Sequence, residues 1–235
     1  MNFIVENKVF EVLPEVCFGV VVAKDLDNSG SKKEILDLLD QAIQETRNKF
    51  RKIKPKEHPD LTPYREALRK MNINPNKFPC SVEALTNRVV KGGSPPDINP
   101  IVNLVNAFSL KYTLPMGAHD LSAAPGNIEV RFSRDNDRFT PFGQDESESP
   151  DQDELVYARG SDIKTRKWIW RQSDLGKVTA DSRNIFIPID GLFNNNYDSV
   201  IAARDELATT IEKLFNVGTT VHYFDKDNQA VQLIM

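Results

Sequence analysis

Apolar residues recur along this chain with several spacings, and each spacing predicts its own kind of element. Val16 to Ala23 is an unbroken apolar run of strand length, rich in β-branched residues, and predicts a strand buried on both faces. From Lys32 to Phe50, Ile35, Leu38, Leu39, Ala42, Ile43 and Thr46 fall on one helical face with charges opposite. Before these, Phe3 to Leu13 alternates weakly, and Val9, Val12 and Leu13 suggest a short strand closed by Pro14. Lys52 to Pro59 is too rich in proline for regular helix. Thr62-Pro63 opens a short helix with Tyr64, Ala67, Leu68 and Met71 inward. A further helix runs from Pro79 to Lys91 on Val82, Leu85 and Val89, and Gly92-Gly93 stops it. Asn99-Pro100 then reads as an N-cap followed by proline at the first helical position, where the absent N–H costs nothing. Ile101, Leu104, Val105, Phe108 and Tyr112 form its apolar stripe, with Asn99, Asn103 and Asn106 on an adjacent face.

The second half of the chain reads mostly as sheet. Ala123 to Gly126 predicts a turn, after which Ile128, Val130 and Phe132 alternate with Glu129, Arg131 and Ser133 as a half-exposed strand. Short strands are expected around Leu155 to Ala158, Lys167 to Trp170 and Ile185 to Ile189, while the acidic stretch Gly143 to Glu154 suggests a mobile surface loop. Ser199 is the expected cap of a C-terminal helix, and Thr219 to Ile234 reads as a hairpin turning at Asp225 to Asn228. These elements together predict an α+β fold: a single layered domain over residues 1–235, with mixed β-sheets packed by several helices.

Composition changes this picture in two ways. With 235 residues, 40% of them hydrophobic, the chain can bury a sizeable core, and no apolar run approaches membrane-spanning length, so a cytoplasmic protein is expected. The net charge of −4 hides a strong asymmetry. Arg47 to Lys91 holds twelve Lys and Arg against four Asp and Glu, and Asp135 to Glu154 holds eight acids against Arg138. A basic segment on an acidic protein suggests an anionic partner met by one face, through Arg65, Arg69, Arg88 and Lys91; the alternative is an ordinary solvated helix surface. Cys17 and Cys80 have no metal-ligand spacing, and neither a phosphate-binding loop nor a dinucleotide fingerprint is present, so no metal or cofactor is expected.

The segment NPIVNLVNAFSLKYTLPMGAHDL, followed by GNIEVRFS and KVTADSRNIFI, resembles the tRNA-editing domain of the bacterial phenylalanyl-tRNA synthetase beta subunit, its third and fourth modules. FPCSVEALTNRVVKG and KWIWRQSD are similar to free-standing relatives of that domain. The resemblance implies a pocket that hydrolyses the ester joining a wrong amino acid to tRNA, with Asn99, Pro100, Asn106, Pro115 and Asp120 matching the family text. Gly117 stands where the family has its histidine, and His119 where it has phenylalanine. After Trp170, the family has a glycine pair and a glutamate where this chain has Arg171-Gln172-Ser173 and Lys177. Asn106 is then expected to hold the ester or amino group and Asn99 and Asn103 to line the substrate pocket; at the departing positions, His119 is expected to position or deprotonate water and Arg171, Gln172 and Ser173 to line the pocket, the alternative for these three being a capped turn whose arginine pairs with Asp174. A free-standing aminoacyl-tRNA deacylase is the expected function. The competing expectations are a non-catalytic tRNA-binding or RNA-binding module and a small-molecule binder reusing the pocket.

Overall fold

The computed structural model describes residues 1–122 and 126–233, so Ala123, Ala124 and Pro125 of the expected turn, and Ile234 of the expected hairpin, lie outside the described residues. In chain order the elements are β1 (Asn2–Val5), α1 (Asn7–Val12), β2 (Val16–Ala23), α2 (Lys33–Lys49), α3 (Thr62–Lys70), α4 (Ser81–Val90), α5 (Pro100–Tyr112) and β3 (His119–Asp120). The second half adds β4 (Ile128–Phe132), β5 (Leu155–Arg159), β6 (Asp162–Arg166), β7 (Arg171–Gln172), β8 (Ile185–Leu192), α6 (Phe193–Phe215), β9 (Thr219–Phe224) and β10 (Ala230–Gln232). This is the α+β architecture that the spacing predicts.

Two sheets form. One has the order β10-β1-β4-β5-β6-β7 and the other β3-β8-β2-β9. The β2–β8 ladder is antiparallel over its whole length, from Val16 opposite Leu192 to Ala23 opposite Ile185. Aromatic rings join the sheets: Phe3 of the first packs edge-on against Phe224 of the second at 4.7 Å, and tilted against Phe186 at 5.1 Å. Such pairs add about 0.5–1.5 kcal/mol each beyond the area they bury. On the helical side, Leu39, Ala42 and Ile43 of α2 meet Val89 of α4 and Ala107 and Leu110 of α5. Helix α6 covers the four-stranded sheet so closely that a Cβ on Gly191 would stand 2.4 Å from a Val200 methyl. Only glycine fits there. Among the described residues no helix is long and apolar enough to cross a membrane.

Several local expectations are overturned, each for a physical reason. Residues 7–12 are helix α1, not strand, because Val9 and Phe10 are adjacent in sequence and both buried, which a half-exposed strand does not allow. Lys167 to Trp170 is a turn with Lys167 and Trp168 at positive φ; the Lys167 N–H donates to Glu154 Oε1 and the Trp168 N–H to the Leu155 carbonyl. Arg131, expected on an exposed face, is fully buried, with its guanidinium forked onto both Asp137 oxygens at 2.7 and 2.8 Å. The acidic stretch is pinned: Glu154 lies between Arg166 and Lys167, Glu148 pairs with Arg166, and Asp151 pairs with Lys167. Its negative charge is largely answered within the fold. Helix α6 begins at Phe193, ahead of Ser199, and breaks its geometry at Asn196, whose side chain accepts from the Leu192 N–H and donates to Tyr64. Asp225 to Asn228 does turn the chain, but β9 pairs with β2 and β10 with β1, so its arms diverge into different sheets.

Candidate functional site

The N-terminus of α5 is fully capped by its own surroundings. Asn99 accepts from the Val102 N–H at 3.0 Å and donates to the Val178 carbonyl at 3.1 Å. Asn103 accepts from the Ile98 N–H and donates to Asp97 at 2.6 Å. Asn28, not singled out by the sequence, accepts from the Ile101 N–H and donates to the Thr179 carbonyl. These carboxamides hold the helix to the loops beside it and do not line the cleft described below. Asn106 is half-buried on α5 and is not among the residues that line it. The expectation that Asn99 and Asn103 contact substrate is therefore corrected, because local backbone groups and Asp97 occupy their carboxamides.

The cleft lies where the α5–β3 connection, β7, β8 and the strained 167–170 turn converge, and its cavity volume is about 70 Å³. His119, Arg171 and Gln172 line it with Gly117, Tyr157, Trp168 and Asp190, and Ser81 at the start of α4 closes one side. Ser173 does not belong to it; its buried hydroxyl donates to the Thr140 carbonyl and accepts from the Leu175 N–H, fixing a turn. Asp120 also holds a turn, accepting from the Ser122 N–H and the Ser182 hydroxyl.

His119 is buried with its ring nearly parallel to Tyr157 at 6.2 Å. The Gln172 amide nitrogen donates to the Ala118 carbonyl at 2.7 Å and also approaches His119 Nδ1 at 3.3 Å. An amide oxygen in that place would repel the carbonyl, so Nδ1 is the acceptor and Nε2 carries the proton. Burial, with the positive Lys164 nearby, lowers the imidazole pKa to about 4. At neutral pH His119 is thus an uncharged donor through Nε2. A Cβ on Gly117 would stand 3.5 Å from that nitrogen, so His119 occupies the space beside the position where the family carries its histidine.

Asp190 is the residue that sequence reasoning missed. It sits on β8 within the apolar run IFIPIDGL, and a lone carboxylate inside such a run was the available signal. One oxygen, Oδ1, accepts both the Trp168 Nε1–H and the Tyr157 hydroxyl at 2.7 Å, while Tyr64 donates to its backbone carbonyl. Oδ2 has no hydrogen-bond donor among the described residues. Burial raises this carboxyl to about 7, against the lowering effect of the Tyr157 and Trp168 hydrogen bonds. Trp168 reaches it only because its backbone is held in the left-handed region at φ 62°, a conformation that costs a bulky residue about 1–2 kcal/mol. The cleft therefore combines a neutral donor and a carboxyl poised near neutrality, with Arg171 exposed at its edge beside the Trp170 ring.

Elsewhere, burial pushes the Cys80 thiol up to about 12, which removes it as a nucleophile. Among the described residues no cluster of His, Cys, Asp and Glu is arranged to hold a metal ion. Of the basic residues expected to meet RNA, Arg69, Arg88 and Lys91 are exposed and Arg65 is not. Arg65 is paired with Glu83 at 2.6 Å, both almost fully buried, and also donates to the Pro75 carbonyl. Its role as an RNA contact is corrected to a structural one. Arg65→Ala leaves Glu83 uncompensated and is expected to cost about 3–5 kcal/mol of stability, measured as a lowered denaturation midpoint. An unchanged midpoint would contradict the buried pairing.

The family model of the B3/4 domain matches residues 63–226. The phenylalanine–tRNA ligase beta subunit of Idiomarina loihiensis is 32% identical over 90 residues, which make up 38% of this chain and 11% of that subunit. The chain thus spans about a tenth of the length of this curated relative. The crystal structure of an N-terminal fragment of the phenylalanyl-tRNA synthetase beta subunit from Pyrococcus horikoshii is 11% identical and aligns over 92% of this chain and 49% of that one, with a TM-score of 0.47.

Proposed function

The chain belongs to the B3/4 domain family, and from that premise we propose that it is a deacylase that hydrolyses the ester of mischarged aminoacyl-tRNA. The observation that carries this reading is the pairing, in one cleft, of the neutral His119 donor with Asp190, whose Oδ2 lacks a protein partner among the described residues. Ester hydrolysis needs a base for water and a donor for the oxyanion that develops. Asp190 takes a proton from the attacking water as its oxygen bonds to the ester carbonyl carbon. His119 Nε2–H donates to the carbonyl oxygen as negative charge grows there. Collapse of the tetrahedral intermediate breaks the bond to the ribose oxygen, which recovers the proton from Asp190, leaving free amino acid and intact tRNA. Gln172 keeps His119 in the donor tautomer, and Arg171 meets backbone phosphate at the mouth. This assignment gives the base role to Asp190 in place of His119. The working compartment is the cytoplasm, where charged tRNA is the substrate.

The test is to incubate the pure protein with a panel of tRNAs carrying correct and incorrect labelled amino acids and follow release of the label. The reading expects rapid loss from at least one mischarged species and sparing of the correctly charged ones. If the protein binds these tRNAs but hydrolyses none, it is a non-catalytic tRNA-binding module.

A further inference from the structure

A second concavity, open and about 380 Å³, runs along the face of α4 opposite the helical cluster. Pro79, Glu83, Asn87 and Lys91 recur at helical spacing along it, and Lys54 and Lys56, from the proline-rich connection before α3, form its other bank. Lys54, Lys56 and Lys91 are exposed and have no acidic partner among the described residues, whereas the acid that lines the groove, Glu83, is answered by Arg65. The Oε2 atom of Glu83, a residue 3% exposed, is buried with no hydrogen-bond donor among the described residues. The groove thus offers cations on its banks. It also leads somewhere. Pro79 lines the groove and Ser81, two residues on, lines the cleft of His119 and Asp190, with the Ser81 N–H bonded to the Ile169 carbonyl of the strained turn.

We propose that this groove is the track for the single-stranded 3′ end of an RNA, with Lys54, Lys56 and Lys91 on successive phosphates and the RNA's terminus delivered past Ser81 into the cleft. The proposal rests on the deacylase reading for what happens in the cleft. The ten residues of α4 span about 15 Å, a length that suits a few unpaired nucleotides and is too short for a docked protein domain. The two walls of the track are held independently of the lysines, by the Arg65–Glu83 pair and by Arg47, which donates to the Val89 and Gly93 carbonyls at the end of α4. Removing the lysine side chains therefore leaves the groove in place.

The experiment measures, by fluorescence anisotropy, binding of a labelled RNA hairpin with a four-nucleotide 3′ overhang to the full chain across a salt series. Lys54→Ala/Lys56→Ala/Lys91→Ala is compared with Arg69→Ala/Lys70→Ala on the neighbouring helix. The lysine variant is expected to bind at least tenfold more weakly, with its log–log salt slope flatter by about 2, at roughly 0.7 per single-strand phosphate contact; the Arg69/Lys70 variant is expected to match the parent. In the tRNA hydrolysis assay the lysine variant should raise KM and keep kcat. Equal affinity and slope in a folded lysine variant would overturn the groove assignment while leaving the deacylase reading standing. Displacement of the RNA by inorganic polyphosphate as readily as by unlabelled RNA of equal charge would also overturn it, as a plain anion site. If the parent hydrolyses no tRNA but loses RNA affinity through these lysines, the deacylase reading fails and the groove survives.

Discussion

Asp190→Asn is expected to lower the rate of ester hydrolysis by about 10²- to 10⁴-fold, the usual contribution of a general base, while raising the protein's stability above neutral pH. The asparagine retains an oxygen to accept from Tyr157 and Trp168, so the cleft keeps its shape. The stability change follows from the direction in which burial moves the carboxyl. A carboxyl whose folded pKa is raised to about 7 favours folding while protonated, and that contribution fades as pH climbs from the ordinary carboxylate range through 7. Above 7 the parent carries an ionised Asp190 inside the core, which costs on the order of a few kcal/mol, and the variant does not. Thermal melts at pH 8 should therefore place the inactive variant above the parent, and the gap should narrow toward pH 5. A variant that is inactive and less stable at pH 8 would mean that Asp190 is a structural acceptor only.

Substitutions at His119 separate a donor from a base. His119→Ala removes the oxyanion donor and is expected to cost about 10²- to 10³-fold in kcat, in line with loss of one such group elsewhere. His119→Gln still presents an N–H toward Gly117 and the cleft, so part of the rate should return; a base could not be replaced this way. With the imidazole pKa lowered to about 4, no titration from His119 should appear in the rate profile between pH 5 and 8. Equal losses in the alanine and glutamine variants would argue against the donor role.

The sequence carried the helices well and the site only in part. The Asn99-Pro100 start of α5 could be read because cap and proline act locally, and the all-buried β2 because an eight-residue apolar run has few other uses. Periodicity failed where long-range partners decide. Arg131 reads as an outward residue by alternation, and nothing local announces the Asp137 fork that allows it inside. The turn at Lys167 and Trp168 reads as strand because its positive φ angles are imposed by Glu154 and Leu155 from across the sheet. At the site, His119, Arg171 and Gln172 were found because they depart from a motif. Asn99 and Asn103 were misassigned because a capping carboxamide and a substrate-binding one look identical in one dimension. Asp190 went unnoticed because β8 was read for its apolar residues, although a single carboxylate in such a run cannot be buried without function or partner.

The most direct measurement is kcat for hydrolysis of the preferred mischarged tRNA from pH 5 to 9 at saturating substrate, with spontaneous ester loss subtracted. Active enzyme requires ionised Asp190, so the parent rate should rise with pH, turn over near 7 and then hold level, and this inflection should vanish in Asp190→Asn. A parent profile without an inflection near 7, or the same inflection in both proteins, would contradict the account.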